Sequence, residues 1–376
     1  MNSRLLYMDN LKGICILLVV FCHYTLLSGS SVVGNAIMTL AWAAVPCFMM
    51  ITGGLLCRKK SDFDWKKYIK RLITLYVVII LWRIVYILIY IVMNGNIYTG
   101  KDIIAGIFFM SDVNGINMDV FWYMKAYLVT YMIYPVIWFL LMNGGKKYML
   151  NIMVVTGVSG IFIPTMNMIV THYINFSIYD AAYLTPYLNY PYMIFYFVLG
   201  AFLLEYREMI HIKIKKNMPI ILFVIGFMLL FIVKYKETGS FRWNNIYISN
   251  GYNRISTLIM SVGLYLCFDF YCDIKLGLGK LIGQSTMGIY YMHYIILAVF
   301  DKYLYSGIGI EYYSTIANSL KTIIITFICI VLTIIIKMLV VAPESARSGF
   351  ACAFSATTPL RLKRRYNMGN DVIQKN

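Results

Sequence analysis

The chain has 376 residues, 61% of them hydrophobic and 13% charged, with mean hydropathy +0.72 and a formal net charge of +17. Soluble domains carry about a quarter charged residues, so this composition excludes an ordinary water-soluble globule and makes lipid the main solvent. A basic excess of this size would suggest nucleic acid in a soluble protein, but its distribution along this chain has another meaning.

Apolar blocks of roughly 17–25 residues match the length needed to cross a hydrocarbon core about 30 Å thick. They predict helices at about 11–28, 34–57, 69–93, 120–142, 148–170, 187–205, 218–234, 254–272, 284–300 and 320–342. The expected fold class is therefore all-α, a polytopic transmembrane bundle of about ten spans. The first block follows Arg4 and Lys12, as a signal peptide would. No small-residue cleavage site closes it cleanly, so it reads as a retained first helix. Breaks fall at charge clusters or at turn formers such as Asn94-Gly95-Asn96 and Asn143-Gly144-Gly145. The apolar piece 103–111 is too short to span and reads as re-entrant or interfacial. The sequence divides into a transmembrane domain, 1–342, and a tail, 343–376. The tail is small and polar at Pro343–Gly349 and ends in Arg361, Lys363, Arg364 and Arg365, so it reads as weakly ordered and cytoplasmic.

With the N-terminus placed in the cytoplasm, 23 of the 33 Lys and Arg residues fall in segments on that side and 7 on the other. The positive-inside rule then favours an even number of spans with both termini cytoplasmic. The basic excess is topological, and no nucleic acid is expected as a partner.

An ionisable side chain at a span centre costs at least ~2.5–3.5 kcal/mol on insertion scales, so each one is a functional candidate. Those inside spans are His23, Arg83, Lys125 and His293; Asp9 and Lys12 lie near a span end. His23 follows Lys12 by eleven residues, about 1100° of helix, so the two share a face and are separated by roughly 16 Å of rise. Asp9 lies within ~40° of the same line. This polar stripe suits a path across the membrane better than a lone histidine satisfied by packing. Tyr290 lies three residues before His293 and can share its face. Packing and catalysis weigh equally for His293, and Arg83 and Lys125 read as interhelical pairs or cavity-lining groups. The run Lys66-Lys67-Tyr68-Ile69-Lys70-Arg71 reads first as a topology signal beside lipid headgroups, and second as a clamp for a phosphate-bearing ligand. The eight cysteines show no C-x-x-C and no spaced Cys/His set. Neither disulfides, a metal nor a bound cofactor is expected. Walker-type loops and G-x-S-x-G elbows are also absent from the sequence.

Five segments occur in an order that resembles the acyltransferase-3 family of bacterial membrane proteins. They are Asp9–His23, Pro46–Leu55, Phe121–Leu128, Phe195–Ala201 and Ser285–His293. The likeness covers residues 1 to about 342 and implies transfer of an acetyl or other short acyl group from a cytoplasmic acyl-CoA to a hydroxyl of a cell-envelope or extracellular polysaccharide. It implies a bacterial cell membrane location, with lipid, the glycan acceptor and polysaccharide-synthesis proteins as partners. His23 would be general base or transient acyl carrier, with His293 and Tyr290 as second-rank catalytic candidates. Lys12, Lys67, Lys70 and Arg71 would hold the donor phosphates. The family commonly has an arginine where Lys12 stands and an Arg-x-x-Arg before helix three. Lys12 keeps the charge without the bidentate fork, and the Arg-x-x-Arg becomes Lys67-x-x-Lys70 or Tyr68-x-x-Arg71, depending on alignment. The alternative is a glycan or lipid-linked saccharide exporter, which ten spans and 33 tyrosines would also suit.

Overall fold

The structure is a computed structural model that describes residues 5–25, 32–58, 63–95, 98–109, 118–174, 191–238, 251–274, 276–305 and 315–340, with Ser111, Val113 and Ile116. Among these residues it is helical, apart from one isolated bridge between Val113 and Ile116. The α-helices are α1 (Leu6–Thr25), α2 (Val32–Ala41), α3 (Ala44–Cys57), α4 (Trp65–Asn94), α5 (Gly100–Phe108), α6 (Trp122–Gly157), α7 (Ile163–Ile174), α8 (Pro191–Glu205), α9 (Arg207–Lys213), α10 (Met218–Thr238), α11 (Ile255–Tyr271), α12 (Gly277–Phe300) and α13 (Thr315–Val340). The expected all-α membrane architecture is present. The proposed 343–376 tail lies outside the described residues.

The expected number of spans is corrected. Among the described residues, five helical stretches are long and apolar enough to cross a membrane, or six if the bent pair α9–α10 is one broken span. α8 and α11 are apolar but only 15 and 17 residues long, short of the ~20 that a span needs. The two helices expected at 120–142 and 148–170 are present, as the two legs of one 49-residue stretch, Trp122–Val170, that breaks at Gly145. An even count therefore no longer fixes the sides of the termini.

That stretch folds back on itself. Gly145 takes φ 54° and ψ −140°, outside helical values and in a region that favours glycine. Before it, Trp122 stacks on Tyr252 and Tyr134 meets Phe197. After it, the neighbours on α8 run in reverse: a Cβ on Gly157 would lie 3.0 Å from the Phe195 ring, and one on Gly160 would lie 2.6 Å from the Tyr192 nitrogen. The two legs are antiparallel, with their turn at the Lys146 end.

Local signals set α4 well. The Asp64 carboxylate accepts from the Lys67 backbone nitrogen at 3.0 Å, which starts the helix ahead of its apolar block. Gly95 ends it in the left-handed conformation, its N–H donating to the Ile91 carbonyl. α5 then folds back along α4. Arg83, fully buried, donates to the Gly106 and Ser111 carbonyls, and Tyr76 donates to the Phe108 carbonyl at 2.6 Å. Arg83 lies eleven residues below Asn94, roughly 16 Å of helix rise. The 103–111 piece thus returns into the bundle and does not cross it.

Lipid tails are as apolar as leucine, so helix pairs gain mostly from close packing through small residues. A Cβ on Gly53 would lie 1.8 Å from the Phe197 carbonyl oxygen, and one on Gly200 would lie 1.9 Å from that of Met50; these glycines fix the α3–α8 crossing. Gly226 and Gly263 do the same for α10 and α11, and Gly283 brings α12 against the Asp9 backbone.

The contacts gather the basic segments at one end of the bundle. Asn10 donates to the Cys272 and Ile274 carbonyls at 2.9 and 3.0 Å, and the Tyr7 backbone nitrogen donates to Asp273 at 3.2 Å. Arg207 pairs with Asp269 at 2.6 Å and with Asp273 at 3.3 Å. His211 meets the other Asp269 oxygen at 2.8 Å. Tyr134 donates to the Leu56 carbonyl, Tyr68 to that of Met132, and Lys146 sits over the Tyr206 ring. Lys12, Arg58, Lys67, Arg71, Lys146 and Arg207 therefore share the end at which α1 begins.

Candidate functional site

A cavity of about 120 Å³ lies between α1, α3, α6 and α12, with Tyr252 also in its lining. α1 supplies Lys12, Ile16, Val19, Cys22 and His23, which is the stripe expected from helical spacing. Lys12 is 4% exposed and its Nζ lies 3.9 Å from Asp9. The brace of Asn10, Tyr7, Asp273 and Arg207 fixes the start of α1, and so fixes Lys12.

His23 stands at the other end of the stripe. Its ring centroid is 5.1 Å from that of His293 and 5.3 Å from that of Tyr294, the latter at 86°. Tyr290 lines the cavity too; its ring lies 6.0 Å from His293, and its hydroxyl donates to the Val120 carbonyl. His293 is fully buried behind His23 and its Nδ1 lies 3.0 Å from the Ile289 carbonyl. Residues 270 apart in the sequence thus form one histidine pair.

The other residues singled out by sequence are distributed as follows. Lys67 is half-buried and Lys70 exposed on α4, and neither lines the cavity. Arg71 is half-buried, one turn before the cavity-lining Leu75. Its Nε is shielded from solvent without a hydrogen-bond partner among the described residues, and its charge reaches Tyr127 and Tyr134. Lys125 is half-buried on α6 outside the lining. Arg83 also lies outside it, holding α5 and capping the Phe121 ring at 5.2 Å.

Tyr123, Tyr127, Tyr131 and Tyr134 form a ladder down α6, with successive ring centroids 6.3, 6.3 and 5.8 Å apart. Tyr123 and Tyr127 line the cavity, and Tyr68, between Lys67 and Ile69, stacks on Tyr131 at 5.5 Å. Tyrosine rungs therefore join the basic run to the histidine cavity over roughly 16 Å of helix. Sequence reading missed this ladder. Its i, i+4, i+8, i+11 spacing was visible, but in a chain with 33 tyrosines the spacing alone does not stand out. Thr52 and Thr286, which lie in the segments Pro46–Leu55 and Ser285–His293, also line the cavity, as do Gln284 and Tyr252, which no sequence signal marked.

The chemistry available is a mostly apolar chamber, rich in tyrosine, with a cation near one end and an imidazole near the other. Hydrogen bonds and charges act more strongly there than in water. Among the described residues, no group of three or more His, Cys, Asp or Glu side chains could hold a metal ion. The family model for acyltransferase-3, described as an acyltransferase domain, matches residues 5–342. No curated protein and no solved structure matches the chain.

Proposed function

Since the chain belongs to the acyltransferase-3 family and is a membrane acyltransferase of the O-acyl type, we propose that it moves an acetyl or other short acyl group from acyl-CoA to a hydroxyl of a cell-envelope or extracellular polysaccharide. The observation that carries this reading is the single cavity shared by Lys12 and His23. The basic end faces the bacterial cytoplasm, because positively charged segments are retained on that side. Acyl-CoA approaches there, and Lys12 and Arg71 take its phosphates as charge-assisted contacts, with Lys67 and Lys70 at the rim. The acyl arm follows the tyrosine ladder into the cavity. His23 removes the proton from the acceptor hydroxyl as the oxygen attacks the acyl carbon.

A bacterial strain lacking this chain tests the reading against an exporter. The expected result is polysaccharide that leaves the cell in normal amount but with its O-acyl esters reduced. Polysaccharide retained inside the cell, with its ester content unchanged, would overturn the proposal in favour of export.

A further inference from the structure

The proposed reaction leaves a buried histidine without an assigned task. His293 is 0% exposed, inside the bundle on α12, and its two ring nitrogens have different surroundings. Nδ1 lies 3.0 Å from the Ile289 carbonyl oxygen. A carbonyl oxygen only accepts, so Nδ1 must carry the hydrogen in that contact. In the neutral ring the other nitrogen, Nε2, then presents a lone pair. Nε2 is shielded from solvent and has no hydrogen-bond partner among the described residues. A buried acceptor left unsatisfied costs about 1–3 kcal/mol, and such groups often mark a working site. The rings packed on His293 are those of His23, Tyr290 and Tyr294. The Tyr290 hydroxyl is committed to the Val120 carbonyl. His23, with its ring centroid 5.1 Å away, also faces the cavity. Two imidazoles at that separation can join nitrogen to nitrogen when their edges turn toward one another.

We infer that His293 Nε2 accepts a hydrogen bond from one ring nitrogen of His23 and thereby fixes the tautomer that presents the other nitrogen to the cavity as a base. His293 is a positioning residue in this scheme, since it acts through His23. The chain of contacts runs from the Ile289 carbonyl to Nδ1–H, and from Nε2 to the His23 N–H. The cavity-facing nitrogen of His23 takes the proton of the acceptor hydroxyl. The acceptor oxygen uses the released electron pair to bond the acyl carbon. The carbon–sulfur bond of the acyl-CoA thioester breaks, and the thiolate leaves with its electron pair and takes the proton back from His23. The positive charge that His23 carries meanwhile is shared along the N–H···N bond to His293, where no water reaches. The group that orients a catalytic histidine is commonly a carboxylate or a carbonyl; here a second imidazole with a fixed tautomer serves.

This inference rests on the acyl-transfer reading, and two measurements keep their failures apart. The first is ¹⁵N NMR of the full chain with labelled histidine in nanodiscs, which reads the ring tautomers whatever reaction the protein performs. Assignment uses the loss of signals in His293→Asn. The expected result is His293 protonated at Nδ1 and bare at Nε2, with an N–H···N coupling to His23. A hydrogen on Nε2 of neutral His293, or no coupling, overturns the inference. The second is the kinetics of two variants. Asn at 293 can keep the amide donor for the Ile289 carbonyl but places nothing at the Nε2 position; Gln can set an amide oxygen near it. His293→Asn should lower kcat roughly 100-fold, as loss of an orienting partner does, with KM for acyl-CoA little changed. His293→Gln should recover at least tenfold of that loss, because an acceptor is restored. Wild-type kcat in His293→Asn, or equal losses in both variants, contradicts the positioning role. If His293→Asn fails to accumulate, the wild-type tautomer and the His293→Gln kinetics still decide.

Discussion

His23→Ala should abolish measurable acyl transfer while the protein accumulates in the membrane at its normal level. A positioned general base contributes about 10²–10⁴-fold, so the expected loss in kcat is on the order of 1000-fold. The substitution does not touch Lys12 or Arg71, so KM for acyl-CoA should move little, and the defect should sit in the chemical step. The check is ester formation from radiolabelled acetyl-CoA by purified protein in detergent, with the host's own surface polysaccharide as acceptor. A His23→Ala protein with the wild-type rate would remove His23 from the chemistry. The expectation follows from where α1 puts this side chain. It lies at the cavity wall, against the Tyr294 ring and the His293 ring, in a helix whose start is pinned by Asn10 and Tyr7.

The largest structural effect is expected at the α3–α8 crossing. Gly53 and Gly200 each face the backbone of the opposite helix, and a Cβ would lie within 2 Å of a carbonyl oxygen at both. A carbonyl in a helix cannot swing aside as a flexible side chain can, so the helices must separate. Gly200→Val should cost at least ~3 kcal/mol, the upper range for overpacking, and lower the melting temperature in detergent by about 10 °C. Separation of the two helices would also shift Phe48 and Thr52 in the cavity wall. Gly277→Ala is the control: a Cβ there meets nothing within 4 Å, and alanine is the better helix former. It should leave the melting temperature unchanged or slightly raised. Equal melting temperatures for Gly200→Val and the wild type would show that the crossing is looser than its geometry implies.

Several of these features were legible in the sequence, and the physical reasons for success and failure are specific. The Lys12–His23 stripe was readable because both residues lie on one helix, where 3.6-residue periodicity fixes their relation. Family membership was readable because five weak segments kept a fixed order. The span count failed for a different reason. Hydropathy measures length and composition, whereas α8 and α11 are apolar and short. The break at Asn143-Gly144-Gly145, by contrast, was readable from its turn formers, and Gly145 supplies it with a left-handed φ. The His23–His293 pair was out of reach, because α1 and α12 meet through Gly283 and nothing local to either helix announces the other. Arg83 was singled out by its charge alone; its carbonyl partners lie in the segment that folds back after α4. The tyrosine ladder needed the partner Tyr68 to become a path between the basic run and the cavity.

The central claim is that acyl groups enter at the Lys12 end and react at the His23 end of one cavity. Proteoliposomes with the protein in one orientation test it most directly, with acyl-CoA confined to the side bearing Lys12 and the basic run, and polysaccharide confined to the opposite side. O-acyl esters are expected on the polysaccharide in the wild-type vesicles and none in those carrying His23→Ala. Ester formation only when donor and acceptor share a compartment would contradict it.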